Sequence, residues 1–132
     1  MKLTVKSEYA FLALLFLNRN SESGYMSVQT IAKAQGIPPK FLEQILLTLK
    51  RARYVSSVKG QKGGYKLLKP PDKISLAEII RLFDGALAPT ESVSKYFYEP
   101  TPIEKEKNLL KVFSGIRNHI SEKLEKTTLA DV

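Results

Sequence analysis

Cysteine is absent from this chain of 132 residues. That absence excludes disulfides, thiolate metal sites, cysteine nucleophiles and cysteine-ligated iron–sulfur clusters, and it fits a cytoplasmic protein. Histidine is nearly absent too. The single one, His119, has no carboxylate pair at metal spacing beside it and reads as a plain surface or interface residue. No Ser–His or lysine constellation stands out, and the acidic residues alternate with lysines, as in Glu104-Lys105-Glu106-Lys107, in the pattern of a solvated helix face. No catalytic residue, metal or cofactor is therefore expected. Nor does any segment approach the ~20 apolar residues of a membrane span. The run Tyr9 to Leu17, behind Lys2 and Lys6, has the length of a secretory core. Glu8 stands at its edge, however, and Asn18-Arg19-Asn20 follows where a small-x-small cleavage site belongs, so the run is read as a helix of the folded protein.

What is present is a core and a concentrated charge. A 43% hydrophobic content supports one packed domain, or a small domain with an appendage. The net charge is +8, and residues 27–81 alone hold 11 Lys/Arg against 3 Asp/Glu. One segment thus carries the whole surplus, which favours a polyanionic partner.

That segment has a readable architecture. A helix capped by Ser7 is expected to run to about Asn18, burying Tyr9, Leu12, Ala13, Phe16 and Leu17. After a loop over 19–26, Ser27 caps a short helix that buries Val28, Ile31 and Ala32 and ends at Gly36. Pro38 and Pro39 open the next helix, whose apolar positions Leu42, Ile45, Leu46 and Leu49 form one stripe. Tyr54 to Val58 and Tyr65 to Leu68 read as strands joined by Gly60-Gln61-Lys62-Gly63-Gly64. Ser75 caps a helix with Leu76, Ile79, Ile80 and Phe83 inward, stopped by Gly85. Residues 86–102 show three prolines, the cluster Tyr96-Phe97-Tyr98 and little periodicity. A last helix from near Ile103 carries Leu109, Phe113, Ile116, Ile120 and Leu124 on a narrow seam, as in a helix that pairs with its own copy.

The fold class expected is mainly α with a small β-hairpin: a winged helix-turn-helix over 1–85, a connector over 86–102, and a dimerisation helix and tail over 103–132. Helix, turn, helix and basic hairpin in this order are the footprint of a winged helix on double-stranded DNA. Lys40, Glu43 and Gln44, near the start Pro39 of the second helix of the pair, are placed to read base edges. Lys50, Arg51, Lys62 and Lys66, with Ser27 and Gln29 at a helix N-terminus, are placed to hold phosphates. Lys59, Gln61, Lys62, Gly63 and Lys66 are assigned to a tight glycine loop able to reach a minor groove. Two other classes remain: a protein-interaction module on the same fold, and a basic protein that coats nucleic acid without sequence preference.

Five motifs in order, "KSEYAFLALLFL", "IPPKFLEQILLTLKRA", "VKGQKGGYKLLKPP", "ISLAEIIRLFDG" and "TTLADV", resemble the Rrf-two family of bacterial winged-helix transcription regulators along almost the whole chain. That family includes the iron–sulfur cluster regulator, the nitric-oxide-sensitive repressor and the cysteine-metabolism repressor. The resemblance implies a homodimeric regulator, usually a repressor, with its recognition helix at 39–52, its wing at 58–66 and a long C-terminal helix crossing its twin. Cluster-binding members carry three cysteines in the connector; here it reads "ALAPTESVSKYFYEPTP", so cluster sensing does not carry over. The family wing commonly begins with arginine, and Lys59 stands there instead, keeping the charge without the planar fork. An unidentified small-molecule or protein effector is left as the controlling partner, with Tyr96, Phe97 and Tyr98 as its candidate region. The plainer reading is that these three rings pack the connector onto the core.

Overall fold

A computed structural model describes residues 1–132. Three helices come first, α1 (Val5–Arg19), α2 (Val28–Gln35) and α3 (Pro39–Arg51). An antiparallel hairpin of β1 (Val55–Val58) and β2 (Gly64–Leu67) follows, then α4 (Leu76–Asp84) and α5 (Lys107–Lys126). The mainly α architecture with a two-stranded wing is the one expected. No helix is long and apolar enough to cross a membrane.

The helix pair folds as its sequence dictates. The Ser27 hydroxyl accepts from the Thr30 N–H at 3.1 Å, which starts α2. Gly36 ends it at φ 66° and ψ 36°, a left-handed cap that costs glycine little. Pro39 then occupies the first turn of α3, where no N–H is needed. Leu42, Ile45, Leu46 and Leu49 are all buried against the core, the stripe the spacing predicted. Each such burial contributes ~1.5–3 kcal/mol, so the inner face of α3 is fixed and its outer face is presented.

α1 departs from expectation. Its N-cap is Thr4, three residues early, and Ser7 lies buried inside the helix. The buried face is Ser7, Ala10, Ala13, Leu14 and Leu17, while Leu12 is exposed and Tyr9 and Phe16 are half-buried. The inward stripe, in which Ser7, Ala10, Leu14 and Leu17 step by 3, 4 and 3, is rotated from the expected one; α2, α3, α4 and β2 all pack against α1, so the flanking Tyr9, Phe11, Leu15 and Phe16 are half-buried as well. The buried Ser7 hydroxyl is satisfied by Asp84 at the end of α4, at 2.7 Å. Asp84 also accepts from the Thr4 N–H at 3.2 Å and from the Thr4 hydroxyl, placing a carboxylate at the positive end of α1.

α4 carries a capping box in which Ser75 and Glu78 satisfy one another's backbone N–H groups. The Tyr54 hydroxyl donates to Glu78 at 3.1 Å, and the Lys69 ammonium lies 4.6 Å above the Tyr54 ring. The last six residues return to this corner. Leu76 N–H donates to the Thr127 carbonyl at 2.9 Å, Leu129 N–H to the Ile74 carbonyl at 3.0 Å, and Leu129 is fully buried in the main core.

Three further expectations need correction. The long helix begins at Lys107, because Pro102–Lys105 forms a separate 3₁₀ turn. Lys66 lies within β2 opposite Ser56, two strand positions in from the closing Val58–Gly64 pair, rather than on the loop. The rings of Tyr96, Phe97 and Tyr98 do not pack into the core: they are 64%, 44% and 56% exposed. Tyr96 instead stacks on the Arg81 guanidinium at 4.8 Å, and the Tyr98 hydroxyl donates to Glu104.

The Tyr54–Glu78 pair gives stability a defined pH dependence. Burial, then the Glu78 charge and hydrogen bond, push the Tyr54 phenol from 10.0 up to about 12. Burial alone would raise the Glu78 carboxyl, but hydrogen bonds from Ser75 and Tyr54 and the Lys69 charge hold it below 4.5. A raised native value means that the Tyr54 contribution is full below pH 10 and lost as pH rises toward about 12. A lowered one means that the Glu78 contribution is full above 4.5 and lost as pH falls through its native value. Urea midpoints measured across pH should show both flanks, with Tyr54→Phe removing the alkaline one and Glu78→Gln the acid one.

Candidate nucleic-acid interface

The wing is held to the helix pair by backbone. Met26, the residue before the α2 cap, pairs with Tyr65 of β2 through two 2.8 Å hydrogen bonds, one in each direction. This short bridge fixes where the hairpin leaves the body. Two glycines make it sterically feasible. A Cβ on Gly64 would lie 2.1 Å from the Met26 carbonyl oxygen, and Gly64 has φ +149°. A Cβ on Gly63 would lie 2.1 Å from the Val58 carbonyl oxygen across the hairpin. Behind the bridge, the half-buried Tyr65 packs against the core.

The bridge creates a groove between the wing and the start of α2. Ser23, Tyr25, Met26, Ser27 and Thr30 form one wall, and Gln61, Lys62 and Gly63 the other. Gln61 and Lys62 are exposed and Ser27 and Gly63 half-buried. The Ser27 hydroxyl is committed to the Thr30 N–H and shares a 2.8 Å bond with the Thr30 hydroxyl. Its role is thus to cap, and the first-turn N–H groups and the Thr30 hydroxyl are what the groove offers an anion. The sequence reading missed Tyr25 and Thr30. Tyr25 sits in what reads as a plain polar loop, yet the Lys66 ammonium lies 4.7 Å above its ring. That cation–π contact holds Lys66 at the edge of the groove.

On α3, Pro39, Lys40, Glu43, Gln44, Lys50 and Arg51 are all exposed, as are Gln29 on α2 and Lys59 at the end of β1. None of these cations is spent internally: the chain's one ion pair is Arg81 with Glu125, at 2.6 Å. Gln44 also borders a cleft with Lys6, Phe41, Ile45, Thr48, Leu82 and Phe83, on the side of α3 that faces α4.

The stripe on α5 divides in two. Ile120 and Leu124 pack against Ala77, Ile80 and Leu87 of the same chain, and Phe113 is half-buried. Leu109, Val112 and Ile116 are 40%, 58% and 42% exposed. Tyr96 and Phe97 line a small recess with Arg81, Leu87, Arg117 and Ser121, between the connector and α5.

A helix pair with its second helix outward, joined to a basic hairpin that shares a groove with the first, defines a winged helix-turn-helix transcription regulator that binds DNA. Residues 3–132 match the model of Rrf2, described as an iron-dependent transcriptional regulator. The chain belongs to the Rrf2 family. A Mycobacterium tuberculosis protein described as an HTH-type transcriptional regulator is 36% identical over 135 residues, covering 100% of this chain and 81% of that protein. The HTH-type transcriptional regulator CymR of Bacillus subtilis is 30% identical over 132 residues, 100% of this chain and 89% of CymR. The solved structure of CymR, the global cysteine regulator of B. subtilis, superposes with a TM-score of 0.79 at 29% identity, over 99% of this chain and 95% of that one. T. potens IscR superposes with a TM-score of 0.75 at 30% identity, over 99% and 85%. These relatives are regulators and not enzymes. The family description names iron, but this chain has no cysteine, and no three of its His, Asp and Glu side chains gather at metal-binding distance. Its residues do not fit an iron or iron–sulfur group.

Gly64→Ala should break the Met26–Tyr65 bridge at a cost of about 2 kcal/mol or more, because a backbone carbonyl cannot yield 1 Å cheaply. Gly36→Ala is the control: it has the left-handed φ of 66° and ψ of 36° with open space around it, and should cost only about 1 kcal/mol. Hydrogen exchange at the Met26 and Tyr65 amides should accelerate in the first variant and stay protected in the second.

Proposed function

We propose that this protein is a cytoplasmic homodimeric repressor that binds a pseudo-palindromic operator and senses no iron–sulfur cluster. The observation that carries the reading is the bridge-held groove, which sets Gln61 and Lys62 of the wing opposite the N-terminus of α2. A phosphate in this groove meets N–H groups from one wall and a cation from the other. Gln29, Lys50, Arg51 and Lys66 extend the backbone contacts, and Lys59 leads the wing toward the minor groove. Lys40, Glu43 and Gln44, beyond Pro39, then read base edges, with Glu43 accepting from a cytosine amino group and repelling misplaced phosphate.

The division of the α5 stripe supports dimerisation. Leu109, Val112 and Ile116 form an exposed apolar strip that one chain leaves uncovered. A two-fold pairing of such strips relates two recognition helices by symmetry, which calls for half-sites about 34–36 Å apart or a multiple of that. With no cysteine in the connector, its exposed rings Tyr96, Phe97 and Tyr98 are the region where an effector would act.

Selection of duplex fragments from a random pool should recover a two-fold-symmetric motif, whereas binding without a motif contradicts the operator reading. With about 4–5 phosphates neutralised per subunit, log affinity should fall against log salt with a slope of roughly −7 to −9. Lys62→Gln should make that slope shallower by about 2 per dimer. Leu109→Glu and Ile116→Glu should give monomers by sedimentation equilibrium. Ile120→Ala, which loses packing on its own α4, should instead cost stability by about 1–2 kcal/mol.

A further inference from the structure

The outward face of α3 carries one large apolar side chain. Leu47 is 40% exposed. Its neighbours one turn before and one turn after, at i−4, i−3, i+3 and i+4, are Glu43, Gln44, Lys50 and Arg51, all exposed. A single surface leucine is ordinary by itself. What distinguishes Leu47 is its ring of neighbours: the four side chains around it are those that the operator reading assigns to base edges and phosphates. A groove that accepts these four closes over Leu47 as well. Leu47 has no donor or acceptor to offer there, and it stands outside both hydrophobic clusters of its own chain. In the major groove the base edges present N–H donors, O and N acceptors and one apolar group, the C5-methyl of thymine.

We propose that Leu47 is a specificity-determining residue that reads a thymine in each half-site by packing on its C5-methyl group. The inference rests on the operator reading above and gives that reading a chemical selectivity the polar side chains do not supply. Lys40 and Gln44 distinguish donors from acceptors, and Leu47 distinguishes thymine from every base without the methyl. A polar residue in its place leaves that contact unmade.

Deoxyuridine isolates the methyl, because it removes that group and keeps the pairing edge of thymine. Each thymine of the selected half-site is replaced in turn, and affinities are measured by fluorescence anisotropy for the full-length wild type, Leu47→Ala and Leu47→Met. Loss of one buried methyl corresponds to about fourfold in affinity per half-site and roughly 15-fold when both half-sites are changed. The wild type should show this loss at one symmetry-related pair of positions. Leu47→Met, still apolar, should keep the sensitivity, and Leu47→Ala should lose it while retaining the wild-type melting temperature. A half-site without thymine, a wild type indifferent to deoxyuridine throughout, or equal losses in wild type and Leu47→Ala would each overturn the methyl contact while leaving the operator reading intact. Recovery of no motif at all would overturn both.

Discussion

Two hydrogen bonds between Met26 and Tyr65 decide where the lysines of the wing, Lys59, Lys62 and Lys66, stand relative to the helix pair. A two-stranded hairpin of four residues a side is marginal on its own and has no intrinsic reason to lie in one direction. Joined to the residue before α2, the hairpin becomes an extension of the helix pair, and the wing loop is held beside the α2 N-terminus. The approach that makes those bonds leaves no room for a side chain at Gly64. A glycine in a strand usually weakens it. Here it is the condition for the contact that orders the interface.

The rest of the fold supports that geometry from behind. α3 can present a polar outer face because four aliphatic residues anchor its inner one. α1 takes the central position, touching α2, α3, α4 and β2, and Asp84 ties its first turn to the end of α4. The C-terminal residues close the structure, with Leu129 entering the main core from the far end of the chain. The sequence division into a DNA-binding part and a dimerisation helix with tail is therefore crossed by packing. Backbone bonds of Thr127 and Leu129, just after α5, tie the chain end to Leu76 and Ile74 at the start of α4.

Legibility followed the number of covered faces. α3 and α2 could be read because each has one buried side, a cap of known chemistry and proline or glycine at its boundaries. The wing was legible from its glycines and its alternation, apart from the placement of Lys66, which depends on register. α1 was misread in part because several neighbours cover it: Ala13 and Leu17 are buried as expected, while packing selected Ser7, Ala10 and Leu14 over Tyr9, Leu12 and Phe16. Thr4 and Ser7 are both good cap residues, and only Asp84, distant in sequence, decides between them. The exposure of Tyr96, Phe97 and Tyr98 and the burial of Leu129 have no periodic signal at all, since each is settled by where a non-repeating segment docks. The exposure of Lys40, Lys50, Arg51, Lys59 and Lys62 was legible from charge alone. The places of Tyr25 and Thr30 were not, because their positions arise from the wing's approach to α2.

If the Met26–Tyr65 bridge places the wing on DNA, Gly64 and Lys62 are energetically coupled in operator binding, and a double-mutant cycle between Gly64→Ala and Lys62→Gln measures that coupling. If the bridge positions Lys62, that substitution should weaken operator binding about tenfold in the wild-type background and hardly at all once Gly64→Ala has released the wing. Equal losses in the two backgrounds would mean that Lys62 finds its phosphate without the bridge, and would contradict the account.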